Sequence, residues 1–129
     1  MTETSDKTVL VADDDAQLLG LVVRHLKEMG FRVVEALDGD QAWEAVQSEQ
    51  PDLVVLDVMM PGMSGWEVCR RIRESETVAE TPVIMLTGIG ERLNEMTSPL
   101  YGANDYLDKP FEFDVLENKV RDALAGDAA

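Results

Sequence analysis

The fold is decided by the stretch Pro51-Asp-Leu-Val-Val-Leu-Asp57-Val-Met-Met-Pro61-Gly62. Its apolar run, residues 53–56, is short and bounded by turn residues, which is typical of a strand buried on both faces. The run delivers one carboxylate, Asp57, at its C-terminal end. Because a buried carboxylate is costly unless another group pairs with it, Asp57 lies either at a wet edge or in a charged site.

Length and composition indicate one acidic globular domain. The chain has 129 residues, of which 45% are hydrophobic, enough for a single core. Its formal net charge of −15 repels nucleic acid and anionic membranes, so we expect neither as a direct partner. One cysteine, Cys69, excludes an internal disulfide. Without a signal segment, or an apolar run near the ~20 residues of a membrane helix, the chain is expected to be cytoplasmic.

Strand and helix patterns alternate along the rest of the chain. Four more strands are predicted over residues 8–12, 31–37, 82–86 and 103–107. Helices are predicted over residues 16–29, before Pro51, after a Ser64 cap, weakly over 91–100, and over 112–125 with Val115, Leu116, Val120 and Leu124 inward. This alternation of five strands with five helices predicts an α/β doubly wound parallel sheet with helices on both faces.

The predicted strand ends bring together groups that could share one site. In such a sheet, ligands bind beyond the C-terminal ends of the strands. There the sequence places Asp13, Asp14 and Asp15 after the first strand, Asp57 on the third, Thr87 on the fourth and Lys109 after the fifth. Clustered carboxylates need a cation, and Mg²⁺ suits oxygen ligands. A site that combines a carboxylate, a metal ion, a hydroxyl and an ammonium group is typical of phosphoryl transfer. The pattern predicts this reaction, with the carboxylate as the nucleophile.

The motifs around these residues resemble those of response-regulator receiver domains of two-component signalling. They are Val11-Ala12-Asp13-Asp14-Asp15, Leu56-Asp57-Val58-Met59-Met60-Pro61-Gly62-Met63-Ser64-Gly65, Leu86-Thr87-Gly88 and Gly102-Ala103-Asn104-Asp105-Tyr106-Leu107-Asp108-Lys109-Pro110-Phe111. The resemblance implies a flavodoxin-like receiver fold with strand order 2-1-3-4-5 over residues 8–125. Residues 1–7 are then an extended or disordered start, and 126–129 a short tail.

The same resemblance implies the acidic residues' roles. Asp57 would be the phosphoacceptor, taking its phosphoryl group from a histidine kinase, a phosphotransfer protein or a small phosphodonor. Asp13 and Asp14 would bind Mg²⁺ together with Asp57 and the backbone carbonyl of Met59. Asp15 is expected to serve the start of the first helix rather than the metal.

Further roles are implied beside the acidic cluster. Thr87 would bond a phosphoryl oxygen, Lys109 would pair with the phosphate, and Tyr106 would be the aromatic switch that reorients as Thr87 moves. The Lys109–Pro110 bond is often cis in this family, as only X–Pro bonds readily allow.

Some positions depart from the family pattern. Pro99 interrupts what is usually a regular helix, and Trp66 is bulkier than the usual aliphatic residue, so we expect it to be partly exposed. Met59 and Ile89 flank the site with large apolar side chains, and we hypothesise that they shield an acyl phosphate from water.

The implied function is a phosphorylation-controlled switch that promotes only its own phosphorylation and dephosphorylation and signals to an unknown output protein or domain. It could be a single-domain regulator of the chemotaxis type or part of a longer protein, and a phosphorylation-dependent dimer stays open. The alternative is an aspartyl-phosphate hydrolase of the haloacid dehalogenase type. Those enzymes carry Asp-x-Asp, whereas Asp57-Val58-Met59 lacks the second Asp.

Several of these residues also have a purely structural interpretation. The run Asp13 to Asp15 alone could be only an acidic helix start. His25, the one histidine, is expected on the surface of the first helix, and Cys69 is expected to be a small buried core residue.

Overall fold

The computed structural model describes residues 7–88 and 101–125. Its five strands form one parallel sheet in the order β2-β1-β3-β4-β5. The strands are β1 Thr8–Ala12, β2 Arg32–Ala36, β3 Leu53–Asp57, β4 Val83–Thr87 and β5 Asp105–Asp108. The helices described are α1 Ala16–Glu28, α2 Gly39–Glu49, α3 Gly65–Glu74 and, at the C-terminal end, α4 Phe113–Ala125. The predicted fold class and strand order are confirmed. The weak helix predicted over 91–100, with Pro99, lies outside the described residues, as do Ile89 and the segments 1–6 and 126–129.

The central strands are apolar because helices cover both faces of the sheet. Every residue of β3 and β4 is buried. Alternate strand residues point to opposite faces, so one set packs against α2 and α3 and the other against α1 and α4. The first set includes Leu10, Val54, Leu56 and Met85, and the second includes Val9, Val11, Val55 and Ile84. Burying each such side chain contributes about 1.5–3 kcal/mol, which fixes the strand ends that carry the polar residues.

Side-chain caps begin three of the helices. Asp15 accepts the N–H groups of Gln17 and Leu18, both at 3.1 Å, so it serves the start of α1 as expected. Ser64 accepts the N–H of Glu67 at 3.2 Å, which confirms the predicted cap of α3. Asp38 caps α2 in the same way. Each cap fixes where the helix leaves the loop that precedes it.

Two predicted side-chain positions are wrong. Val115 was expected to point inward, but it is exposed, and Leu116 and Val120 are the buried residues of α4. His25 was expected on the surface, but it is half-buried and its Nε2 lies 3.1 Å from Glu117 Oε2. Its ring also lies 5.2 Å from that of Phe113. In both cases helical periodicity gave the apolar stripe, whereas the packing of α1 beside α4 determined its edges.

Two further expectations are confirmed. Cys69 is a buried free thiol, and its burial raises the thiol pKa to about 11. Trp66 is half-buried and stacks on Tyr101, with ring centroids 5.3 Å apart. Among the described helices, none has the length and apolarity required to cross a membrane.

Candidate functional site

Strand register places the predicted site residues at one edge of the sheet. Ala12 of β1 pairs with Leu56 of β3, so Asp13 and Asp57, the next residue of each strand, stand side by side. Asp57 pairs in turn with Leu86 of β4, which immediately precedes Thr87. Thr87 pairs with Asp108 of β5, and Lys109 follows. The four strands therefore end within two residues of one another in register, and the polar residues at their ends converge on one edge of the sheet.

The carboxylates of Asp13, Asp14 and Asp57 form a cluster that fits a metal ion. One oxygen from each lies within 4.8 Å of the others. Octahedral Mg²⁺ with oxygens at ~2.1 Å places neighbouring ligands roughly 3 Å and opposite ligands roughly 4 Å apart, so small adjustments suffice. Asp13 and Asp57 are buried and Asp14 is exposed, which leaves one side of the cluster open for a partly hydrated ion. The donor set is three hard anionic oxygens, as Mg²⁺ prefers.

Lys109 lies directly against this cluster. Its ammonium Nζ is 3.0 Å from Asp13 Oδ2 and 3.3 Å from Asp57 Oδ1. Its backbone N–H donates to the carbonyl of Thr87 at 2.6 Å, which ties Lys109 to the end of β4. The other oxygen of Asp13 accepts the N–H of Asp15 at 2.9 Å. The Lys109–Pro110 peptide bond is cis, as the resemblance implied. The motif resemblance assigns Lys109 only to a phosphate, and its contact with Asp13 is not evident from the sequence.

Burial and mutual repulsion dominate the electrostatics of the site. Burial, and then the charge of Asp13, raise the pKa of Asp57 to about 7, although Lys109 acts in the opposite direction. Burial by itself would lower the pKa of Lys109, but the hydrogen bond to Asp13 and the charges of both carboxylates raise it above its usual value. Lys109 therefore stays a cation. Its single positive charge does not fully offset the charges of the clustered carboxylates.

Comparison with known proteins identifies the family that shares this fold. Residues 9–121 match the response regulator receiver domain family. The chain belongs to this family. The receiver domain of a Francisella response regulator has a TM-score of 0.87 with 30% identity, covering 95% of this chain and 99% of that one. The receiver domain of a sensor histidine kinase from Pseudomonas aeruginosa, with a magnesium ion coordinated in its active-site cleft, has a TM-score of 0.84 with 26% identity, covering 92% and 98%.

Sequence relatives agree with this assignment. The probable transcriptional regulator ycf27 of Cyanophora paradoxa is 39% identical over 122 residues, which are 95% of this chain and 50% of that protein. The chain spans about half the length of the curated relatives it matches. As a receiver domain of two-component response regulators it is a phosphorylation-dependent signalling switch, and the hydrolase alternative is not favoured.

The two predicted switch residues of the receiver domain lie on adjacent strands. Thr87 is buried at the end of β4. Tyr106 of β5 pairs with Met85, two residues before Thr87; it is half-buried and packs against the core cluster on the α2 and α3 side. Lys119 Nζ lies 6.0 Å from the centre of the Tyr106 ring. The positions fit the implied roles of both residues, which stay predictions.

The predicted shield of the site is only partly described. Met59 is 71% exposed. Its proposed partner, Ile89, lies outside the described residues. The roles of the Met59 carbonyl as a metal ligand and of its side chain as a shield also stay predictions.

Proposed function

We propose that Asp57 accepts a phosphoryl group from a sensor histidine kinase, a phosphotransfer protein or a small phosphodonor in a Mg²⁺-dependent reaction. The observation that carries the proposal is the convergence of the Asp13, Asp14 and Asp57 carboxylates with the Lys109 ammonium at one sheet edge. Asp13, Asp14, Asp57 and the Met59 carbonyl would hold the ion. When bound, it supplies positive charge that offsets the charge on the carboxylates and the phosphoryl oxygens.

The chemical step needs Asp57 as an ionised nucleophile. One of its oxygens forms a bond to phosphorus while the bond from phosphorus to the donor breaks, and the leaving group takes that electron pair. Lys109 Nζ, already 3.3 Å from Asp57 Oδ1, is within reach of the transferred oxygens and stabilises the charge on them. The hydroxyl of Thr87, at the end of the adjacent strand, donates to another phosphoryl oxygen. The domain thereby promotes its own phosphorylation and dephosphorylation and acts on no separate substrate.

Phosphorylation would shift the domain between two arrangements. The phosphoryl group adds roughly two negative charges and strong acceptors. The phosphoryl group draws Lys109 away from Asp13 and pulls Thr87 toward the site. Each residue binds the phosphoryl group better than it binds its own present partner. Tyr106 then moves into the space beside Thr87 and relays the change to an output protein or domain.

The net charge of the chain and the length of its relatives indicate which partners the domain contacts directly. A net charge of −15 disfavours direct contact of this cytoplasmic receiver with nucleic acid. A relative named a probable transcriptional regulator is twice as long as its matched region, so any contact with DNA would be made by the unmatched half. Control of such an output is the proposed role of the receiver, and a phosphorylation-dependent dimer is one way to exert it.

Mass spectrometry after incubation with acetyl phosphate and Mg²⁺ tests the proposal. We expect the protein to gain the mass of one phosphoryl group, and Asp57→Asn to abolish the gain. Asp52→Asn is the matched control, because Asp52 is an exposed carboxylate at the opposite end of β3 that accepts the N–H of Thr8. A gain that persists in Asp57→Asn, or turnover of a generic phosphate ester, would contradict the proposal.

A further inference from the structure

The turn between β2 and α2, residues 36–40, contacts both segments that carry the carboxylates. None of its residues was assigned to the site. At one end, the backbone N–H of Asp13 donates to the carbonyl of Ala36 at 3.1 Å. At the other, the N–H of Gly39 donates to the carbonyl of Pro61 at 3.3 Å, in the loop that follows Asp57. The turn therefore joins the Asp13 segment to the Asp57 loop from outside the site.

The second of these contacts, between α2 and the loop after Asp57, depends on Gly39 having no side chain. A Cβ atom on this buried residue would overlap the backbone carbonyl of Met63 and lie 2.7 Å from the Met63 Cβ. These are backbone and near-backbone atoms, so a side chain cannot simply turn aside. Any residue other than glycine must separate the first turn of α2 from the loop.

The loop, residues 58–65, is held on its other sides. The N–H of Gly65 donates to the carbonyl of Val58 at 2.9 Å and closes the loop. Gly62 has a φ of +72°, a conformation that other residues adopt only with strain, and its Cα faces the carboxylate of Asp40. Residues 61–63 of the loop, which follow the proposed ligand Met59, therefore lie against the start of α2.

The start of α2 is the stiffer of the two contacting surfaces. The Asp38 side chain accepts the N–H of Gln41 at 2.7 Å, and the Gln41 side chain accepts the N–H of Leu37 at 3.0 Å. Ala42 and Val46 of the same helix are buried in the core. Because the helix is fixed by caps and core contacts, a bulkier residue at position 39 displaces the loop.

We propose that Gly39 is a positioning residue for the metal-binding end of the phosphoacceptor site. By lacking a Cβ it lets residues 58–65 lie against α2, and so keeps the segment after Asp57 in the place from which the Met59 carbonyl can bind Mg²⁺. This inference rests on the proposed function and adds a residue to it that touches neither metal nor phosphate.

The test is Gly39→Ala, with Mg²⁺ affinity measured by isothermal titration calorimetry using magnesium chloride. We expect affinity to fall roughly tenfold, as for other losses of support around a metal ligand. The magnesium concentration that gives half-maximal phosphorylation by acetyl phosphate should rise by the same factor. The limiting rate at saturating Mg²⁺ should return to within about threefold of the wild type, since Asp57 and Lys109 are untouched.

Two control variants separate positioning from general stability. Gly20→Ala adds a Cβ in α1 where nothing lies within 4 Å, and it should leave Mg²⁺ affinity unchanged. Val46→Ala weakens the core under α2 about two helical turns from Gly39, so it should lower the free energy of unfolding but leave Mg²⁺ affinity unchanged. If Gly39→Ala does not fold, Gly62→Ala is measured instead. The nearest atom to its Cβ would be a carboxylate oxygen at the flexible end of Asp40, whereas the strain at a φ of +72° shifts the same loop and should weaken Mg²⁺ binding.

The possible outcomes differ clearly. A folded Gly39→Ala, or in its place Gly62→Ala, with wild-type Mg²⁺ affinity overturns the inference and leaves the proposed function standing. An equal loss of affinity in Val46→Ala also overturns it, because the effect would then follow stability. A wild-type protein that neither binds Mg²⁺ nor gains a phosphoryl group contradicts the proposed function itself, and the inference with it.

Discussion

Two lysines in this receiver domain approach an aspartate at the same distance, yet their surroundings differ. Lys109 approaches Asp13 at 3.0 Å, and Lys119 of α4 approaches Asp105 at the same distance. Their side chains are also similarly exposed, 26% and 28%. The difference lies in the carboxylates, because Asp13 is 1% exposed whereas Asp105 is 38% exposed.

We expect burial of the partner carboxylate, and not contact distance, to decide how strongly each ion pair acts. Water around Asp105 competes with Lys119, so that pair contributes little to stability. Asp13 and Asp57 have lost most of their water, and removing a cation from such a pair leaves buried charge uncompensated. The same poor solvation makes the Lys109 site responsive to a proton, a metal ion or a phosphoryl group.

The largest expected effect is on the rate of phosphorylation in Lys109→Ala. Losing a preorganised cation next to the transferred oxygens should slow the reaction about 100-fold at saturating Mg²⁺. Mg²⁺ should still bind, because its three carboxylates remain. Mass gain with time in acetyl phosphate measures the rate, and Lys119→Ala is the matched control. Equal rates in the two variants would show that the buried pair has no special role.

The next effect is a pH dependence of stability in the metal-free protein. The pKa of Asp57 is about 7 in the folded state and 3.8 for the free side chain, so the folded protein retains a proton that the unfolded chain loses. Stability should therefore fall as pH rises through this window and level off above pH 7. We expect a loss of about 2 kcal/mol between pH 5 and pH 8 by urea denaturation with chelator.

Asp57→Asn provides the control for this pH dependence, because it removes the titrating group and keeps its shape. The stability of this variant should change much less between pH 5 and pH 8, and it should exceed that of the wild type at pH 8. Parallel curves for the two proteins would refute the role of Asp57 in the pH dependence.

The sequence predicted which residues meet at the site better than it predicted the contacts among the surrounding segments, and the reason is physical. Apolar runs fix strand ends, and parallel strands end at a shared edge, so Asp13, Asp57, Thr87 and Lys109 were brought together by local patterns alone. The contact between Gly39 and Met63 depends on how α2 packs beside the loop. In the sequence, the pair Asp38-Gly39 indicates no more than a turn.

The positions of His25 and Val115 show the same limit on α1 and α4. Each helix was found from its periodicity, and its buried stripe was nearly right. The residues at the border of the stripe depend on the neighbouring helix, and His25 became half-buried because Glu117 and Phe113 of α4 lie beside it. Such packing depends on residues 92 positions apart and has no local signature.

A smaller effect distinguishes two adjacent exposed carboxylates, Asp14 and Asp15. Only Asp14 belongs to the cluster with Asp13 and Asp57, whereas Asp15 caps α1. At ten times its dissociation constant, Mg²⁺ should stabilise the wild type by about 1.4 kcal/mol. At that same magnesium concentration, Asp14→Asn should lose more than half of this gain. Asp15→Asn, which retains a capping side chain, should keep nearly all of it. Urea denaturation at pH 8 with and without Mg²⁺ measures both, and equal responses would place Asp15 in the metal site.

The smallest expected effect belongs to the exposed lysine. Lys119→Ala should change the free energy of unfolding by less than about 1 kcal/mol, and the change should shrink further in 0.5 M salt because water and ions already screen Asp105. A double-mutant cycle with Asp105→Asn isolates the pair from the packing of the Lys119 stem near Tyr106. A coupling energy above about 2 kcal/mol, or one that salt does not reduce, would mean that a half-exposed carboxylate holds its cation as firmly as a buried one. The burial of Asp13 would then no longer explain why the Lys109 site, and not the Lys119 pair, is the one expected to respond to phosphorylation.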